Sequence, residues 1–250
     1  MKKVYNFSDF TEKNYKKILN LAKSNNYRFI SYKEADRAKD KYIILRHDVD
    51  FSPHRALALA EIENNMGIRA TYCVQLGSFF YNIFEREVKD TFLKIKKLKH
   101  SIGLHFDSSL YNIKPFKKLE DYILYEKDIV EKRLGTKIDI FSFHNPLKKE
   151  LNIVNFRIAG LINVYNGFFM NKMKYISDSN GYWRYRRLSD LLKDRRYDKM
   201  HILIHPGWWQ RSAVSPWERI VRCVEGRRRS TYKSYNKLLG DFGRENIGYD

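Results

Sequence analysis

Four short apolar runs in this sequence stop at a histidine or a pair of carboxylates. Tyr42–Leu45 leads into Arg46-His47-Asp48-Val49-Asp50, and Gly103-Leu104 into His105-Phe106-Asp107. Ser142-Phe143 leads into His144-Asn145-Pro146, and His201–Ile204 into His205-Pro206. The chain has seven histidines, and His47, His105, His144 and His205 all sit where an apolar run ends. Imidazole nitrogen and carboxylate oxygen are the ligands of zinc and related divalent metals. A catalytic metal needs three of them and leaves a position for water. Two carboxylates two residues apart, Asp48 and Asp50, allow one to hold metal while the other serves as base toward water. Singly, each residue has a plainer reading: an Asp at a strand end caps the next helix, and a His there is a satisfied hydrogen-bonder. Their joint placement at four strand ends favours a metal-dependent hydrolase. His100 and His201 read as structural, and His54 as a solvated helix residue.

For these side chains to meet, the runs that carry them must lie side by side. Residues 11–25 read as a helix with Tyr15, Ile18, Leu19, Leu21 and Ala22 on its apolar face. Tyr42–Leu45 reads as a buried strand. Ser52-Pro53 is an N-cap with proline at the first helical position, and the helix 53–66 that follows is closed by Gly67. Ile68–Gln75 reads as a strand, 85–99 as a basic amphipathic helix, and Ser101–Phe106 as a strand. A helix over 117–134 ends at Gly135, and strands Ile138–Phe143 and Met200–Ile204 and a helix over 216–225 complete the pattern. Strand and helix alternate, which predicts an α/β fold with mainly parallel strands. Such folds place chemistry at the carboxyl ends of their strands. No repeat or low-complexity linker is visible, so 1–250 reads as one domain.

Composition narrows the class. The chain is 250 residues long, 43% hydrophobic and 31% charged, which is globular rather than disordered. Its formal net charge of +19 implies a field that attracts anions: nucleic acid, acidic membrane or phosphorylated substrate. The two cysteines form no CxxC pair, and Cys73, inside the apolar run Ala70–Val74, reads as a buried thiol. No apolar stretch follows Lys2-Lys3, and none reaches the roughly eighteen residues of a membrane span. A cytoplasmic location is expected, with peripheral membrane contact left open. Arg227-Arg228-Arg229 and the lysines of 94–99 raise nucleic-acid binding, but a solvated basic face explains them. No zinc-finger, homeodomain or RNA-recognition signature accompanies them, so no specific nucleic acid is expected.

Between about residues 41 and 209 the sequence resembles the polysaccharide deacetylase superfamily, carbohydrate esterase family 4. The resemblance rests on three motifs in order. Leu45-Arg46-His47-Asp48-Val49-Asp50, a helix and Gly67–Val74 are similar to the family's paired acids, though Val49 separates acids that are commonly adjacent. His100-Ser101-Ile102-Gly103-Leu104-His105 is similar to its first histidine motif, and Leu203-Ile204-His205 to its last. Ser109 stands where a second histidine ligand is usual, and His144-Asn145-Pro146 where the family has Arg-x-Pro. Asp178 and Trp183 loosely match its Asp and cleft-shaping Trp.

The resemblance implies a distorted (β/α)7 barrel that removes acyl groups, N-acetyl foremost, from sugars with a divalent metal, zinc foremost. Asp48 would be the catalytic base and His205 the general acid. Asp50 and His105 would hold the metal, with His144 or Asp107 as the third ligand, His144 preferred. Trp183, Asp178 and Trp208, with Trp209, would line the substrate. Residues before 41 and after 209 would be helical additions. The charge points to an anionic acylated sugar, linked to a nucleotide or a lipid pyrophosphate, as in surface-polysaccharide precursors. Ser109 keeps a catalytically degenerate, binding-only relative as the alternative.

Overall fold

A computed structural model of the chain describes residues 6–111, 113, 117–183 and 186–248. Helix α1 (Glu12–Ser24) starts where the Thr11 side chain accepts from the Asn14 N–H. Strand β1 (Arg28–Phe29) follows, then β2 (Tyr42–Val49), then α2 (Pro53–Asn65), capped by Ser52. Next come β3 (Thr71–Val74), α3 (Arg86–Lys97), β4 (Ser101–Phe106), α4 (Lys117–Leu134) and β5 (Ile140–Phe143). The stretch that lacked a clear sequence pattern holds α5 (Lys148–Leu151), β6 (Arg157–Ile158), β7 (Leu161–Asn163), α6 (Gly167–Asn171), β8 (Lys174–Ser177) and α7 (Leu188–Asp194). The chain then forms β9 (Lys199–Ile204) and α8 (Pro216–Asp241), the latter opened by a Ser215–Glu218 capping box.

The fold is α/β. One sheet runs β6-β7-β5-β4-β3-β2-β9-β8, with every neighbour parallel except the β6–β7 pair. The seven parallel strands of that path, with β1 parallel beside β2, curl into a half-barrel. Among the described residues the sheet ends at β6 on one side and β8 on the other. β2 is the hub: β9 flanks one edge, while β1 and β3 share the other, β1 at Tyr42–Ile43 and β3 at Arg46–Val49.

Side chains on a strand alternate between faces. On β2 this sends Arg46 and Asp48 to one face and His47 to the other. His47 meets Glu63 of α2 at 2.7 Å, and Glu63 also accepts from Tyr15 of α1 and, at 2.8 Å, from Tyr72 of β3. His47 therefore belongs to the layer between sheet and helices and is removed from the strand-end cluster. His100 takes the Ala70 N–H at 3.1 Å and faces the Ala60 carbonyl at 2.9 Å, and His201 meets the Tyr32 hydroxyl at 2.6 Å.

Three sequence expectations shift. β2 does not stop at Leu45 but carries Arg46–Val49 within it, since those polar groups find partners on both faces. The segment before residue 41 is not only helical: β1 joins the sheet. The last helix extends well beyond 225, to Asp241.

Candidate active site

Period-two alternation brings one face of four strands to a common cleft. Asp48 comes from β2 and Asp50 from just beyond it, His105 from β4, Ser142 from β5 with His144 just after, and His205 from the end of β9. The cleft, about 270 Å³, is lined by Asp48, Asp50, His105, His144 and His205 together with Phe143, Leu151, Tyr165, Met170 and Tyr175. Gly103, one alternation below His105, leaves the room this needs: a Cβ there would stand 2.7 Å from Ile140 and 3.1 Å from the Cys73 sulfur.

Asp48 is buried and held from two sides. The Arg46 guanidinium lies 3.1 Å from Oδ2, and Ser142 donates to Oδ1 at 3.1 Å. Arg46 also reaches the Tyr165 hydroxyl at 3.2 Å. Ser142 has a single proton, and the Asp48 carboxylate only accepts. The contact of His105 Nδ1 with Ser142 Oγ at 2.8 Å is then donated by the ring. That leaves His105 Nε2 as a bare lone pair, 3.1 Å from Asp50 Oδ1. Among the described residues Asp50 Oδ1 is buried with no hydrogen-bond partner. Two electron-rich atoms facing each other without a proton between them are the mark of a cation site.

His144 is arranged in the same sense. Its Nδ1 lies 3.0 Å from Asp107 Oδ2, and Asn145 Nδ2, which can only donate, lies 3.1 Å from its Nε2. Nδ1 therefore donates to Asp107, and Nε2 carries the lone pair, which takes the Asn145 N–H and which a metal would claim in its place. Asp50, His105 and His144 each offer a ligand atom within 4.8 Å of the others. Asp107 stands behind His144, and Ser109 turns to Asp107, donating from its backbone at 2.9 Å and its hydroxyl at 2.6 Å. Burial pushes Asp107 up, but the hydrogen bonds from Ser109 and His144 outweigh it and hold the carboxyl low. A carboxylate behind a ligating histidine fixes the ring and raises its basicity.

His205 faces Asp50 across 3.9 Å through Nε2. Its other nitrogen is 2.6 Å from Asp178 Oδ1, and its backbone N–H donates to the same carboxylate. Asp178 Oδ2 takes the Trp209 indole N–H at 2.8 Å. Burial pushes His205 down, yet Asp50 and Asp178 more than reverse it and raise the ring to about 9. Burial likewise pushes Asp50 up, but the charge of the His205 ring, foremost, brings it down to about 2. The donor set of one carboxylate and two neutral imidazoles suits a zinc-like cation.

The residues expected at the substrate are elsewhere. Asp178 is fully buried, with both oxygens occupied by His205 and Trp209, so it positions His205 and does not face the cleft. Trp183 is buried and stacks on Phe10 at 5.6 Å. Trp208 packs on Phe51 at 4.6 Å and against Gly181, whose positive φ of 66° and lack of a side chain permit the approach. Trp209 sits between Phe10 and Tyr15. All three tryptophans pack the body instead of walling the cleft, where Tyr165, Tyr175, Phe143 and Met170 stand. Sequence reasoning passed over Arg46 and Ser142. A lone arginine inside an apolar strand is a signal, because a buried charge needs a partner; Ser142 is visible as the residue one alternation before His144.

No protein-family model matches this chain, and no curated protein matches it. Among solved structures it is similar to a family 4 carbohydrate esterase from Bacillus anthracis, at 16% identity over 85% of this chain and 86% of that one, TM-score 0.46. It is similar to the peptidoglycan deacetylase PdaC from Bacillus subtilis, at 16% identity over 80% and 96%, TM-score 0.46. It is also similar to a CE4 family pseudoenzyme from Bacillus anthracis, at 13% identity over 77% and 62%, TM-score 0.43. These likenesses concern the run of the chain and not its chemistry.

Proposed function

We propose that this protein is a metal-dependent deacetylase acting on an acylated, anionic sugar. One observation carries the reading: the unpartnered, buried Asp50 Oδ1 facing the bare Nε2 of His105, with His144 within 4.8 Å. Asp50, His105 and His144 would hold a divalent metal, zinc foremost for its nitrogen and oxygen ligands. When bound, such an ion polarises an acyl carbonyl and acidifies water. Asp48, fixed by Arg46 and Ser142, would accept the proton of the attacking water. His205, protonated and aimed by Asp178, donates to the departing sugar nitrogen or oxygen. Tyr165 and Tyr175 offer ring faces to a sugar. The net charge of +19 favours a substrate bearing phosphate, such as a nucleotide- or lipid-pyrophosphate-linked sugar. Ser109, standing where the resemblance has a ligand, supports a second reading in which the site binds metal without turnover.

Metal analysis of the wild type and of His105→Ala, with acetate release from N-acetylated sugars with and without a phosphate, tests this. Near-stoichiometric metal lost in the variant, with faster release from the phosphorylated sugar, is the expected result. Metal without release selects the second reading. A wild type that takes up no metal on reconstitution would sink both.

A further inference from the structure

Helix α8 is docked the opposite way from an ordinary surface helix. The side that meets the body carries Arg219, Cys223 and Arg227, spaced four residues apart. Arg219 is buried and donates to the Val214 and Gly181 carbonyls; the Cys223 thiol donates to the Phe51 carbonyl at 2.8 Å; Arg227 pairs with Glu85. The far side carries Trp217, Val221, Val224, Tyr235 and Leu238, and the stripe continues to Phe242. All are exposed, Trp217 by 73% and Phe242 by 68%. Steps of three and four residues, passing through Arg228 and the exposed Tyr232, keep them on one face. A contiguous apolar face turned to solvent marks an interaction surface.

The charge decides its occupant. Arg222, Arg229, Lys233 and Lys237 flank the stripe, and Arg228 lies within it, paired with Glu225 at 2.8 Å and with its guanidinium over the Tyr232 ring at 5.6 Å. A second copy of the chain would bring two bodies of charge +19 together and seat Arg228 in the seam. An anionic lipid surface meets both features: acyl chains take the stripe, headgroups take the bases, and a long arginine stem reaches out to them. Tryptophan and tyrosine favour that boundary. No helix among the described residues is long and apolar enough to cross a membrane, so α8 would lie along the surface. We propose that α8 anchors the protein to an anionic bilayer. Because the Cys223 thiol donates to the carbonyl of Phe51, the neighbour of Asp50, the anchored helix is tied to the segment that carries Asp50. Vesicle binding requires no chemistry at the site, so this inference stands or falls apart from the hydrolase reading.

Flotation of the full chain with phosphatidylcholine vesicles, and with vesicles of phosphatidylcholine and phosphatidylglycerol in equal parts, tests it. Binding is expected only to the second kind and is expected to weaken with salt. The triple variant Tyr235→Ser, Leu238→Ser, Phe242→Ser keeps the net charge and should bind at least about tenfold more weakly, since three apolar contacts are lost. Its unfolding temperature and metal content, measured in parallel, show that the body is intact. Lys233→Gln with Lys237→Gln should flatten the salt dependence. Unchanged binding by the triple variant, no vesicle binding by the wild type, or a wild-type dimer that the triple variant dissociates would each overturn the proposal.

Discussion

Asp178 accepts from the His205 backbone, the His205 ring and the Trp209 indole, so both its oxygens are occupied in holding one imidazole. The consequence is a sign that can be read in a pH profile. A ring raised to about 9 is protonated and able to donate below that value, and the donor is lost as pH rises through it. A cation on Asp50 offsets that carboxylate's share, so the basic limb of the metal-loaded protein falls below 9. Asp178→Asn should move the limb of kcat/KM further down, by about one to three units. An unmoved limb would identify another group as the acid. Ser142→Ala should act differently. It leaves all three ligands in place but frees the His105 tautomer, and metal affinity should drop by about 10- to 100-fold in competition with a chelator. At this scale the sequence was informative about what is chemically unusual. Asp48, Asp50, His105, His144 and His205 announce themselves because polar residues end apolar runs. It was uninformative about the tryptophans, since an aromatic that packs a core and one that stacks a sugar carry the same letter. Asp178 was noticed for a role it does not have, because only the fold shows which way a carboxylate points.

At the scale of elements, the two faces of β2 do separate work. One holds Arg46 and Asp48 toward the cleft; the other sends His47 to Glu63, which ties α1, α2 and β3 to the strand through Tyr15 and Tyr72. Burial pushes Glu63 up, but His47, His100 and Tyr15 outweigh it and hold the carboxyl below its ordinary range. Its contribution to stability is therefore present above that range and lost as pH falls through it. Glu63→Ala should cost about 3–5 kcal/mol in denaturant unfolding at neutral pH, because it strands His47 without its partner. A cost below about 1 kcal/mol would mean that the network is decoration. The strands from Tyr42 to Phe143 and β9 were legible from short apolar runs with turn and cap signals beside them. The stretch from β6 to β8 was not, because its strands are two to four residues long and leave no period to read. The length of α8 was missed for a related reason: an apolar stripe broken by Arg228 and turned outward does not look like a helix seeking a core.

Taken whole, the molecule gathers Asp50, His105 and His144, the residues that would hold the proposed metal, from segments far apart in sequence, so cation binding there would be linked to global stability. Metal at a hundred times its dissociation constant should stabilise the native state by about 2.7 kcal/mol. In a chain of this size that is a rise in Tm of about 5–10 °C. Differential scanning calorimetry with and without zinc checks this, and His105→Ala should show no rise. An equal rise in the variant would place the cation elsewhere.

The pairing of β2 with β9 has a further consequence during synthesis. The hub strand emerges from the ribosome early, but its β9 edge stays open until Lys199–Ile204 has been made. The first helix also waits, because the Glu12 N–H donates to the Gln210 carbonyl and Gln210 donates back to Phe10. At cellular rates of elongation that interval is on the order of ten seconds. Throughout it a nascent chain carries an apolar, hydrogen-bonding strand edge with nothing beside it. Slower elongation before residue 199 should lengthen that exposure and raise the aggregated fraction in cell-free synthesis.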